Sequence, residues 1–142
     1  LAAFLKDGRG TPKIVEAPGV AFTDTPDPFV SIISAATVRD VERVARAPVD
    51  AWRFRGNLVI DGAAAWAEFG WIGHTLEVGG VTLEIVERIG RCAATNVDPA
   101  TAERNLNIPK ILIQGFGHAD CGVYARVTRP GRIAAGDAVR AA

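Results

Sequence analysis

From Thr75 to Ile89 the chain reads as a β-hairpin, and this is its most constraining feature. Val81, Leu83 and Ile85 alternate with Thr82 and Glu84, a period of two that buries one face of a strand and wets the other. Gly79-Gly80 lies between the runs Thr75 to Val78 and Val81 to Ile89, and a two-residue hairpin turn needs the positive φ that glycine adopts without strain. Other short apolar runs follow the same style. Val30 to Ser34 is β-branched and reads as a buried strand, and Asn57 to Asp61 is a second one closed by Gly62. Gly122 to Val127 is a third. Pro130-Gly131 then turns the chain into a last strand, Arg132 to Val139, with a tight bend at Gly136-Asp137.

Helix signals are few. Val38, Val41 and Val44 recur every third residue behind Thr37, with Arg39, Asp40, Glu42 and Arg43 on the other side, until Pro48 ends the pattern. This is the one convincing amphipathic helix, and Ala64 to Phe69 reads as a short helical turn. The first thirty residues, rich in Pro and Gly, read as extended edges and turns. Short strands with frequent Gly/Pro punctuation favour a mainly β fold, barrel or sandwich, over alternating β/α units.

At 142 residues this is one domain. Its 16 basic and 16 acidic residues cancel, and no basic block appears, which argues against nucleic acid as a partner. No run is long and apolar enough to cross a bilayer, and no signal-peptide core opens the chain. Cytoplasm is the default compartment. The chain begins with Leu and holds no Met, so an upstream segment stays open. Its two cysteines, Cys92 and Cys121, are weak grounds for a disulfide in such a chain.

Three stretches carry side chains capable of chemistry. Arg91-Cys92-Ala93-Ala94-Thr95-Asn96-Val97-Asp98-Pro99 starts where the hairpin leaves the sheet, a place where a rigid scaffold holds loop ends. Cys92 acts as nucleophile or metal ligand only as the thiolate, a form that a nearby guanidinium favours. Thr95, Asn96 and Asp98 add hydroxyl, amide and carboxylate, with a plain Asx turn as the alternative role for Asp98. In Arg53-Phe54-Arg55-Gly56-Asn57 the two arginines would share one side if the segment is extended, and forked guanidiniums there suit phosphate. The alternative is a solvated edge strand. In Gly115 to Tyr124, His118 and Cys121 are three apart, but no paired spacing of a zinc site appears, and His118 reads as a turn or lining residue. His74 reads as structural.

Taken in order, these pieces resemble the MOSC family, named for the C-terminal domain of molybdenum cofactor sulfurases. The matching residues are Arg53-Phe54-Arg55-Gly56-Asn57, then Glu68 and Gly70-Trp71-Ile72-Gly73, then Cys92-x-x-Thr95-x-Val97-Asp98-Pro99. Gly122-Val123-Tyr124-Ala125 and Pro130-Gly131-x-Ile133-x-x-Gly136-Asp137 complete them, so the resemblance runs from about Val30 to the C-terminus. It implies a closed, mainly β barrel with a few short helices, spanning residues 1–142 as a single MOSC domain with its first thirty residues least defined. It further implies a molybdenum pyranopterin cofactor with Cys92 as thiolate ligand to the metal. Arg53, Arg55, Asn57, Arg91, Thr95 and Asn96 would hold the cofactor, and Asp98 would orient the loop or assist proton transfer. A molybdenum-dependent oxidoreductase of this kind reduces N-hydroxylated small molecules and needs a redox partner. The alternative is a sulfur carrier, in which Cys92 takes a persulfide from a pyridoxal-phosphate desulfurase; a barrel that has lost its site is the plainest option. Two departures touch the site: Thr101-Ala102 stands where the family often has Thr-Gly, and Asn105 where it often has Asp. Substrate, oligomeric state and any contact between Cys121 and Cys92 stay open at this level.

Overall fold

The computed structural model describes residues 27–141. The expected extended edges and turns up to residue 26 fall outside them. Six strands form: β1 (Val30–Ser34), β2 (Leu58–Ile60), β3 (Thr75–Val78), β4 (Val81–Gly90), β5 (Asp120–Arg129) and β6 (Val139–Ala141). They make one sheet in the order β2-β1-β5-β4-β3-β6. The β3–β4 hairpin turns at Gly79-Gly80 as expected, with Val78 opposite Val81 and Gly79 at φ +57°. The β4–β5 pair shifts register three times, and such irregularities bend and twist a strand.

Alternation along β1 divides the core in two. Ile32 packs with Leu76, Leu83, Ile85 and Val123 on one side of the sheet. Ile33 packs with Val38, Val41, Phe54, Ile108, Leu112 and Cys121 on the other, under the helices. The first helix, α1 (Ala35–Ala45), is the expected one; the side chain of Ser34 accepts from Thr37 N, and Arg46 ends it in the left-handed region. A second helix, α2 (Ile108–Phe116), was not anticipated. The side chain of Asn107 caps it, Pro109 lies in its first turn, and Gly117 leaves it at φ +78°. Those caps were readable, but the run of isoleucines between them suggests strand as readily as helix.

The expected closed barrel is corrected to an open half-barrel. β2 and β6 are the free edges of the sheet, separated by a seam of about 830 Å³ between Asn57–Ala63 and Ile133–Val139. The last strand is also shorter than expected: Val139–Ala141 is strand, and Arg132 to Ala138 is not. The reason is a turn at Gly136, where φ is +92°. Ala134 N donates to Asp137 Oδ2 (2.8 Å), and Asp137 N donates to Ala134 O (3.2 Å). That turn uses the groups a ladder across the seam would need.

Candidate functional site

Cys92 follows β4 by two residues and opens a 3₁₀ turn, Ala93–Asn96. Its thiol is free and exposed. The backbone beneath it is pinned: Cys92 O accepts from Thr95 N (3.2 Å) and from Thr95 Oγ1 (2.8 Å). Asn96 Oδ1 accepts from Ile108 N (2.9 Å), which ties the loop to the start of α2. Asp98 completes an Asx turn. Its Oδ1 accepts from Ala100 N (2.9 Å) and Thr101 N (3.3 Å), and its Oδ2 from Arg53 Nη2 (2.8 Å) and Asn105 Nδ2 (3.1 Å). These bonds, led by that from Ala100 N, hold the Asp98 carboxyl below the usual carboxylate range. Ala102 keeps the loop's left-handed corner, φ +61°, at the position where the family often has Gly.

The two arginines of the Arg53–Asn57 stretch part company. Their segment is a 3₁₀ turn, Ala51–Phe54, started by the Asp50 side chain accepting from Trp52 N (2.8 Å), and not the extended piece that would have set them side by side. Arg53 is 4% exposed. Its Nη1 donates to Asn96 O (3.0 Å) and its Nη2 to Asp98 and to Asn105 Oδ1 (2.6 Å), while its Nε–H is buried without a partner. Arg55 is exposed at φ +52°, and no hydrogen bond or ion pair engages its guanidinium among the described residues. Arg91 donates through Nε to Cys121 O (2.7 Å) and through Nη1 to Phe54 O (2.8 Å); burial lowers its pKa. Asn57 Oδ1 accepts from Ser31 N (2.9 Å) and Ser31 Oγ (2.8 Å).

A cavity of about 320 Å³ brings Cys92, Arg53, Arg55, Asn57, Arg91 and Thr95 to one wall system. Asn96 and Asp98 stay behind it, in the bonding of the loop. Sequence reasoning missed Ser31, Phe29 and Tyr124, which also line it. Ser31 pairs with Tyr124 across β1 and β5, and the Phe29 and Tyr124 rings stack at 5.7 Å. Tyr124 lies within a quoted motif, whereas Ser31 carried no signal beyond being polar in an apolar strand.

The remaining candidates lie elsewhere. Cys121 is buried in β5, its thiol pushed up to about 12 by burial. His118 is the turn residue expected, accepting on Nδ1 from Asp120 N (3.2 Å) among the rings of Trp66, Phe69 and Phe116. His74 is exposed just before β3. No three His, Cys, Asp or Glu side chains gather among the described residues. Glu68 is fully buried: Oε2 accepts from Thr37 Oγ1 (2.9 Å), and Oε1 has no partner. The burial was not legible, since Glu is almost never fully buried unless paired.

The comparisons with known proteins bear on this arrangement. The family model described as MOSC domain matches residues 20–140. Mitochondrial amidoxime-reducing component 1 of Homo sapiens is 32% identical over 132 residues, covering 84% of this chain and 38% of that protein. The Mus musculus protein of the same name is 30% identical over the same shares. The chain thus spans under two-fifths of the length of these relatives. The crystal structure of YiiM from Geobacillus stearothermophilus matches with a TM-score of 0.60 at 18% identity, covering 80% of this chain and 53% of that one, a likeness of fold. No helix among the described residues is long and apolar enough to cross a membrane. The relatives are mitochondrial by name, so the cytoplasmic default has nothing from them behind it.

Proposed function

The chain belongs to the MOSC domain family, and we propose that the cavity beside Cys92 takes the pyranopterin form of molybdenum, with the Cys92 thiolate on the metal. The observation that carries this is one exposed, free thiol on a loop whose Thr95 hydroxyl and Asp98 carboxylate are already bonded. A bare cation would find a single soft donor there. A metal that arrives already ligated inside an organic cofactor needs only that one, and thiolate suits molybdenum. The unengaged Arg55 guanidinium on the cavity wall fits a phosphate bidentately.

When bound, the cofactor supplies the redox chemistry. The protein's part is to hold and orient. Arg55 and Asn57 line the cavity, and Thr95 fixes the Cys92 carbonyl. Asp98 orients the loop and does not move a proton, since both its oxygens are engaged. The relatives are named for amidoxime reduction, and amidoximes are N-hydroxylated compounds. Reduction of an N-hydroxylated small molecule with electrons from a redox partner is the activity this reading assigns.

The test is molybdenum by mass spectrometry and pterin by fluorescence, in wild type and Cys92→Ser made in a host that synthesises the cofactor. Near-stoichiometric metal in wild type, lost in the variant, is expected. Metal retained by Cys92→Ser would sink the assignment. The exposure of Cys92 also suits a second reading, a persulfide carrier fed by a pyridoxal-phosphate desulfurase. Wild type free of molybdenum but accepting sulfur on Cys92 would select it.

A further inference from the structure

We propose that Arg53 and Arg91 are positioning residues, a reciprocal brace that sets the Cys92 loop against the Ala51–Phe54 turn. The inference rests on the reading that Cys92 is the working group and assigns these two arginines to its support, where the sequence suggested cofactor contacts.

Each segment sends a guanidinium to a carbonyl of the other. Arg53, in the turn, donates to Asn96 O in the loop (3.0 Å) and to the Asp98 and Asn105 side chains beyond it. Arg91, one residue before Cys92, donates back to Phe54 O in the turn (2.8 Å), and its guanidinium lies over the Phe54 ring at 5.4 Å. It also donates to Cys121 O, so β5 is tied into the same frame. Gly122 makes room for this: a Cβ there would sit 3.2 Å from Arg91 Nη2 and 2.5 Å from Ile32 O.

The use of the donors separates this pair from Arg55. A guanidinium has five N–H groups in a fixed plane. Arg53 spends three of these on protein acceptors, and its Nε is buried without a partner. Arg55 spends none on a protein partner among the described residues and is exposed. A planar fork can span three acceptors on separate chain segments, whereas an ammonium is a single point charge. Arg53→Lys therefore keeps the charge opposite Asp98 and loses the span.

Amide hydrogen exchange on the metal-free chain tests this. In Arg53→Lys, exchange over residues 92–98 should quicken about tenfold, the effect of one or two lost hydrogen bonds, while paired amides of β4 and β5 keep their wild-type rates. In Arg91→Lys the same quickening should reach both residues 92–98 and residues 51–55. Arg55→Lys should leave both segments at wild-type rates. Unchanged exchange at 92–98 in Arg53→Lys, or an equal rise throughout the sheet, would overturn the proposal. Should Arg53→Lys fail to fold, Asn105→Ala removes one exposed acceptor, and about threefold faster exchange in the same segment is required. A wild type that never holds molybdenum would sink the cofactor reading and leave this result standing, because no metal enters the measurement.

Discussion

Two side chains that rarely leave water are buried in this small fold, Arg53 at 4% exposure and Glu68 at 0%, and their surroundings treat charge in opposite ways. Around Arg53 two neutral acceptors, Asn96 O and Asn105 Oδ1, and the Asp98 carboxylate meet the guanidinium. Around Glu68 one hydroxyl, from Thr37, meets the carboxyl, and no Lys or Arg bridges it among the described residues. Thr37 Oγ1 in turn accepts from Trp66 N (2.8 Å). The loop side thus conserves ionised groups, while the Glu68 side favours the neutral acid, its pKa raised by burial. A charge placed beside the cavity offers a ligand its field, whereas the buried Glu68 carboxyl ties the core through Thr37.

Removing the cation should have the largest effect. Arg53→Met leaves Asp98 and two further acceptors without their donor, and should cost about 3 kcal/mol in denaturant unfolding. A loss below about 1 kcal/mol would mean that water replaces the brace freely.

The two carboxyls should then separate by the sign of their pH dependence. Glu68 has a folded pKa above its unfolded one, so its contribution is fully present below the unfolded value and is lost as pH rises through the folded value. Wild type should therefore lose stability relative to Glu68→Gln as pH rises past the usual carboxylate range, by at most about 1.4 kcal/mol per pH unit. Parallel pH curves would show that Glu68 is ionised at no cost. Asp98 has the opposite sign: its pKa is lowered, so its contribution is present above the ordinary value and lost on acidification. Asp98→Asn should flatten the acid side alone.

The smallest effect is expected at Ala102. A non-glycine residue at φ +61° is strained, so Ala102→Gly should raise stability by about 0.5 kcal/mol once the greater freedom of glycine in the unfolded chain is subtracted. A loss would show that the corner is held by its Cβ.

Much of this was readable in the chain, and the misses share a cause. The hairpin and α1 were legible because a period of two or a spacing of three and four is local. The cavity was legible through Cys92 and Arg55, whose motif order survives the folding. The parting of Arg53 from Arg55 was not, because one side chain accepting from Trp52 N turned an apparently extended segment into a 3₁₀ turn. α2 hid behind β-branched residues that its caps overrule. The open seam and the burial of Glu68 depend on contacts between distant segments, which no window along the chain contains.

The contrast between the two cysteines has a practical consequence. Cys121 is fully buried with its thiol pushed up to about 12, and Cys92 is exposed, so a maleimide at neutral pH should address one position in the unmodified protein. A fluorophore coupled there would stand at the mouth of the cavity and report its contents without any engineered residue.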